Sequence, residues 1–255
     1  MIKAIELGVT TIEMDVVVSK DSKVILSHDH YMNPEYVTPP SGRQFASATD
    51  RSQLIYEMNY SEVRTWDVGI KGNSKFPEQQ KITAVKPLLS ELIDSVEAYT
   101  RKNNLPPVRY NIETKSAEKT DGKQHPEPSA FIALLMEVIE AGGIAKRTTI
   151  QSFDKRTLQE LHQKHPRMKT AYLIGANIKS SVNELISDLG FRPTIISPEV
   201  RLVNPAFLAA CHQKKLKVVV WTVNDRETIR QMADLGVDGI ISDYPDRFDV
   251  LKTKN

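Results

Sequence analysis

Residues 12–29, IEMDVVVSKDSKVILSHD, hold two β-branched apolar runs in which Glu13 and Asp15 interrupt the first and His28-Asp29 close the second. Only residues 20–23 separate the runs, far fewer than a helical crossover needs, so the pair reads as an antiparallel hairpin. Centring a two-residue turn on Asp21-Ser22 sets Asp15 opposite His28 and Val17 opposite Leu26. Because side chains alternate along a strand and opposed residues share a face, Glu13, Asp15 and His28 are then expected to converge near the open end of the hairpin. A slip of one residue would undo that arrangement.

Outward from the hairpin, short strand-like runs alternate with amphipathic helical segments. The strand runs are VRYNIETK, RTTIQSF, KTAYLIG, PTIISPE, KVVVWTVN and DGIISDYP. The helical ones are PLLSELIDSVEAYTRKN, PSAFIALLMEVIEAGG, KRTLQELHQKHP, SSVNELISDLG, NPAFLAACHQKKL and DRETIRQMADLG. Such alternation predicts a parallel sheet covered by helices. With TTIEMDV it gives seven parallel strands, one fewer than a closed (β/α)8 barrel. The chain opens on IKAIELGV, the end of a helix closed by Gly8. This helix sits where the crossover after a first strand belongs, so the expected fold is an α/β barrel of TIM type whose first strand precedes Met1. Residues 1–255 are expected to form a single barrel domain, with 31–82 inserted after the hairpin as a lid or an edge decoration.

A length of 255 residues, 40% hydrophobic and 26% charged, suits a protein with a substantial core. The net charge of +2, with its basic residues scattered, gives no case for a nucleic-acid partner. No apolar run is long enough for a membrane span. Cys211 is the lone cysteine, which excludes an internal disulfide framework and a thiolate metal cluster. Because a start inside a helix points to upstream sequence, periplasmic, secreted and cytoplasmic placements all stay open, as does the oligomeric state. Two strand edges of an unclosed barrel would favour pairing with another chain.

Barrel chemistry sits at the carboxyl ends of the strands. The late-strand polar residues are Glu13, Asp15, His28, Asp29, Glu113, Lys115, Gln151, Ser152, Glu199, Trp221, Asn224 and Asp243. Glu13, Asp15 and Glu113 on neighbouring strands would repel one another unless a cation lay between them. An all-oxygen set suits Mg²⁺ or Ca²⁺ better than a structural zinc. His28 is either a ligand or the proton carrier of a carboxylate-rich site. Lys115, two residues after Glu113, shares its face and offers a positive charge to an anion. Metal, lysine and histidine together describe a site for a small phosphate ester. Trp221 is either core or an apolar wall beside the substrate. His30, His125, His162, His165 and His212 are read as structural or exposed.

With these residues in place, the chain resembles the glycerophosphodiester phosphodiesterase family in the blocks IEMDVVVSKDSKVILSHD, NIETK, QSFD, VVWTVND and LGVDGIISDYPD, taken in that order. The resemblance implies a TIM barrel with an insertion after His-Asp, and Glu13, Asp15 and Glu113 as divalent-metal ligands. It further implies His28 as one of two catalytic histidines, Lys115 near the phosphate, and hydrolysis of glycerophosphodiesters to glycerol 3-phosphate and an alcohol. The family's first strand and helix carry His-Arg-Gly and Pro-Glu-Asn-Thr, which this sequence does not contain. The other histidine and a phosphate-binding arginine therefore lack counterparts, and impaired activity is one expectation. Two alternatives accompany it: a lipid phosphodiesterase similar to sphingomyelinase D, and a catalytically silent barrel that binds metal or phosphate.

Overall fold

The computed structural model describes residues 1–251. A short helix, α1 (Ile2–Glu6), leads into strands β1 (Thr11–Val18) and β2 (Val24–Leu26). The long segment that follows holds a 3-10 turn at Ile55–Glu57 and a short α-helix, α2 (Tyr60–Val63), before α3 (Leu89–Lys102) and β3 (Arg109–Thr114). From there strand and helix alternate: α4 (Pro128–Ala141), β4 (Thr148–Ser152), α5 (Lys155–Lys164), β5 (Lys169–Ile174), α6 (Val182–Leu189) and β6 (Ile195–Pro198). The run ends with α7 (Pro205–Gln213), β7 (Lys217–Val220), α8 (Arg226–Leu235) and β8 (Gly239–Ile240).

The sheet has eight strands in the order β2-β1-β3-β4-β5-β6-β7-β8. β2 runs antiparallel to β1, while β4 through β8 pair in parallel, as strand–helix alternation requires. Every helix expected from the sequence forms, and the local chemistry explains where each begins and ends. Ser181 and Glu184 close a reciprocal capping box on α6, and Asp154 and Asp225 cap α5 and α8 through Arg156 and Thr228 amides. Gly190 and Gly236 end α6 and α8 at φ 84° and 90°, a left-handed conformation that a side chain would strain.

The hairpin register differs from the sequence-based expectation by one residue. Val16 pairs with Leu26, Val17 with Ile25 and Val18 with Val24. The cause lies in the loop, which has three residues rather than two. Ser19 N–H donates to Lys23 O, Ser22 N–H donates back to Ser19 O, and Ser22 takes φ 59°. A turn followed by one left-handed residue adds a position on one side of the hairpin. Asp21 holds it there by accepting from the Ser19 hydroxyl at 2.6 Å and the Tyr60 amide at 2.9 Å. Ser27, not His28, therefore lies across from Asp15, its N–H donating to Asp15 O at 3.0 Å. His28 lies beyond the end of β2, where the chain bends.

The chain divides into two compact units, with the division running through β1 and β3. One contains residues 1–13, 99–112 and 146 onward, and the other residues 14–98 and 113–145. In the first, Val220, Val223, Ile229 and Met232 form a buried cluster flanked by Val200, Leu235, Ile240 and Phe248. In the second, Val17 and Ile25 of the hairpin pack with Met32, Val37, Ile55, Val63 and Trp66. The segment between β2 and α3 thus carries its own share of core. Its stem is tied back to the hairpin: Lys20 N–H donates to Met58 O at 2.9 Å, and Leu26 N–H to Pro87 O at 3.0 Å.

Candidate active site

β1 reads buried at Ile12, Met14 and Val16, with Glu13 and Asp15 half-buried between them. Alternation therefore puts the two carboxylates together on the opposite side of the strand. β3 lies alongside, Lys115 N–H donating to Val16 O at 3.1 Å, and brings Glu113 to the same place. Ligand oxygens of Glu13, Asp15 and Glu113 all lie within 4.8 Å of one another. Lys115 Nζ stands 2.8 Å from Glu113 Oε1 and 3.7 Å from Asp15 Oδ1.

Glu113 is buried, and its carboxyl is held well above the usual carboxylate range. Burial is the main cause, and the nearby Asp15 charge adds to it, while Lys115 opposes both. The repulsion from Asp15 that helps to raise Glu113 would be relieved by further positive charge among the three carboxylates. All-oxygen donors of this kind fit a hard divalent cation such as Mg²⁺ or Ca²⁺.

His28 keeps its side chain 72% exposed, open to a substrate. Its Nδ1 lies 3.1 Å from Asp29 Oδ1. Asp29 Oδ2 accepts from Asn33 Nδ2 and the Tyr36 hydroxyl, each at 2.8 Å. Burial acts to raise the Asp29 carboxyl, but hydrogen bonds from His28, Asn33 and Tyr36 outweigh it and hold the group well below its ordinary range. The ionised Asp29 in turn raises His28 above an ordinary histidine, against the opposing effects of partial burial and Lys115. The acceptor on Nδ1 fixes the tautomer, so Nε2 is the nitrogen left to exchange protons.

The residue before His28 is tied down as well. Ser27 Oγ donates to Asp29 O at 2.5 Å and accepts from Lys86 Nζ at 2.8 Å. Lys86 is buried, with the Tyr36 ring 5.7 Å from its ammonium. His30 has its ring tilted against that of His125 at 5.5 Å, and burial, aided by the charges of His125 and Lys115, lowers it to about 4. It is neutral near physiological pH.

Glu13, Asp15, Glu113 and Lys115 thus come together as the sequence suggests, and His28 lies within the electrostatic field of Asp15 and Lys115. Trp221 directly follows β7, with its Nε1 donating to Ser197 O at 2.8 Å and its ring edge-to-face with exposed Phe153 at 5.4 Å. Glu199 is occupied by Arg201 at 2.9 Å, while Asn224 and Asp243 bond each other and brace the turn after β8. Sequence reasoning passed over Lys86, Asn33, Tyr36 and Asn111. Only Asn111 left a signal, since it precedes Glu113 by two residues on β3.

The glycerophosphoryl diester phosphodiesterase family model matches residues 1–247. A glycerophosphodiester phosphodiesterase of Bacillus subtilis is 25% identical over 247 residues, spanning 94% of this chain and 76% of the relative. A solved structure from Silicibacter pomeroyi, described as a putative glycerophosphoryl diester phosphodiesterase, superposes with a TM-score of 0.83 at 28% identity, over 97% of this chain and 84% of that one. An Oleispira antarctica phosphodiesterase, solved with its product sn-glycerol-3-phosphate, shares the fold with a TM-score of 0.71 at 19% identity, over 96% and 86% of the two chains.

Proposed function

The chain belongs to the glycerophosphoryl diester phosphodiesterase family, and on that premise we propose that it hydrolyses glycerophosphodiesters to glycerol 3-phosphate and an alcohol, using a divalent cation held by Glu13, Asp15 and Glu113. When bound, Mg²⁺ or Ca²⁺ supplies a Lewis acid for a phosphoryl oxygen. Lys115, lying against Glu113 and Asp15, adds a fixed positive charge where phosphate negative charge must be accommodated. His28 handles the proton. With Nδ1 committed to Asp29, its Nε2 gives a proton to the leaving alkoxide as a glycerol hydroxyl bonds to phosphorus and the P–O bond to the alcohol breaks. Water then opens the resulting cyclic phosphate to glycerol 3-phosphate. Phe153 and Trp221 form an apolar pair suited to the carbon skeleton of the substrate. The product seen in the Oleispira antarctica protein supports a small phosphate ester as the ligand class.

The gathering of three carboxylates within 4.8 Å of one another, with Lys115 2.8 Å from one of them, carries this reading. It is tested with glycerophosphocholine as substrate, by chelation and by His28→Ala. Turnover is expected to vanish on chelation and to fall ~10²–10⁴-fold in the variant, the usual worth of a general acid–base step. Turnover that survives both changes overturns the proposal. Preference for a choline sphingolipid over the glycerol ester would favour the sphingomyelinase-like reading instead.

A further inference from the structure

The ammonium of Lys115 lies against Asp15 and Glu113, and a neutral amide reaches Glu13. Gln151 Nε2, from the end of β4, donates to Glu13 Oε1 at 2.6 Å. Gln151 Oε1 then accepts from Asn111 Nδ2 on β3 at 2.8 Å. Both amides are buried, Gln151 1% and Asn111 7% exposed.

The direction of this chain follows from the charge at its end. An ionised carboxylate only accepts, so Gln151 must turn its NH₂ toward Glu13 and its carbonyl toward Asn111. Asn111 must then turn its NH₂ toward Gln151, which fixes both amide orientations through the network. That orientation leaves Asn111 Oδ1 buried without a hydrogen-bond partner. An unpaired buried acceptor is unfavourable for folding. Two buried amides of which one is incompletely bonded are a poor way to fill a core, and a good way to hold a carboxylate at a set angle.

We infer that Asn111 and Gln151 are positioning residues for Glu13: the relay Asn111→Gln151→Glu13 fixes the plane of that carboxylate so that it meets a divalent cation together with Asp15 and Glu113. The inference rests on the proposed metal-dependent function. Both amides are placed behind the carboxylates rather than among the groups that would hold the cation. Gln151 acts on Glu13 directly, and Asn111 acts only through Gln151. Groups behind metal ligands typically alter affinity 10–100-fold when removed.

The test is calorimetric titration of the metal-stripped full chain with Mg²⁺ and with Ca²⁺, for the wild type, Gln151→Met, Asn111→Leu and the double variant. Gln151→Met keeps the length of the side chain without its donor and is expected to weaken binding ~10–100-fold. Asn111→Leu is expected to weaken it less, and to have no further effect once Gln151 is already methionine. A residue that merely fills space would instead give additive losses in the double variant. The metal concentration for half-maximal hydrolysis should move with the calorimetric constant. Wild-type binding with unchanged affinity in Gln151→Met, or additive effects of the two substitutions, overturns the relay and leaves the metal-dependent function standing. A folded wild type that binds neither ion overturns both.

Discussion

Replacing Lys86 by methionine removes a charge that the fold holds at a cost. Lys86 is 5% exposed, and its ammonium donates to the Ser27 hydroxyl at 2.8 Å. Among the described residues no carboxylate lies within ion-pair distance of it. Burial lowers the group from the ordinary 10.5 to about 8, only partly opposed by the charge of Asp29. That fall corresponds to about 3 kcal/mol of disfavoured charge, at ~1.4 kcal/mol per tenfold change. Methionine of similar length abolishes the penalty but forfeits the bond to Ser27 and the contact with Tyr36, together worth about 1–2 kcal/mol. Lys86→Met is therefore expected to be more stable than the wild type by about 1–2 kcal/mol near neutral pH.

The sign of the pH dependence is specific. Between about 8 and 10.5 the unfolded wild type still holds the Lys86 proton that the folded protein has released, so wild-type stability rises with pH across that window. The contribution is fully present above the unfolded value and lost as pH falls through the folded one. The variant lacks this segment, and its advantage should shrink by about 2 kcal/mol between pH ~7 and ~9.5. Urea unfolding of both proteins at the two pH values measures the difference, since all other titrating groups cancel. A variant less stable than wild type by the same amount at both pH values refutes the reasoning.

Two further outcomes follow from the hairpin and the histidine. Ser22→Gly removes a side chain from a residue at φ 59° and should raise stability by about 0.5–1 kcal/mol in the same urea assay; a loss would contradict the three-residue loop. Asp29→Asn removes the negative charge from the hydrogen bond that chiefly raises His28, so the limb of the pH–rate profile that reports His28 should move to lower pH. An unmoved limb would remove Asp29 from the role of orienting partner.

The parallel strands and their helices were legible because their hydrophobic period and caps are local: Ser181 announces α6 and Asp225 announces α8 from within a few residues. The carboxylates were legible for the same reason, since Glu-x-Asp in a strand and Glu113 followed two residues later by Lys115 each define a face. The hairpin register was not. It depends on a serine adopting a left-handed conformation, for which the sequence offers no glycine as a marker. What brings Ser27 opposite Asp15 is thus a backbone dihedral angle rather than a pattern. The partners of the site were hidden by chain distance: Gln151 reaches Glu13 across 138 positions and Lys86 reaches Ser27 across 59. Contacts that far apart are set by the packing of strands, which single-segment periodicity does not encode.

The tied stem between β2 and α3 bears on how this enzyme can change over evolutionary time. Its two ends are held together by the Leu26–Pro87 backbone bond and the Ile25–Leu88 bridge. Everything between them is a closed excursion, and its exposed loops can change length at a cost that grows only with a logarithm, about 0.6 kcal/mol for each doubling. Residues can be gained or lost at little thermodynamic penalty in its exposed stretches, residues 41–44 and 77–83, whereas Met32, Ile55 and Trp66 in its core and His28 with Asp29 at its start hold their places. Change can accumulate in those exposed loops without disturbing Glu13, Asp15 and Glu113 on the strands or His28 at the segment's root.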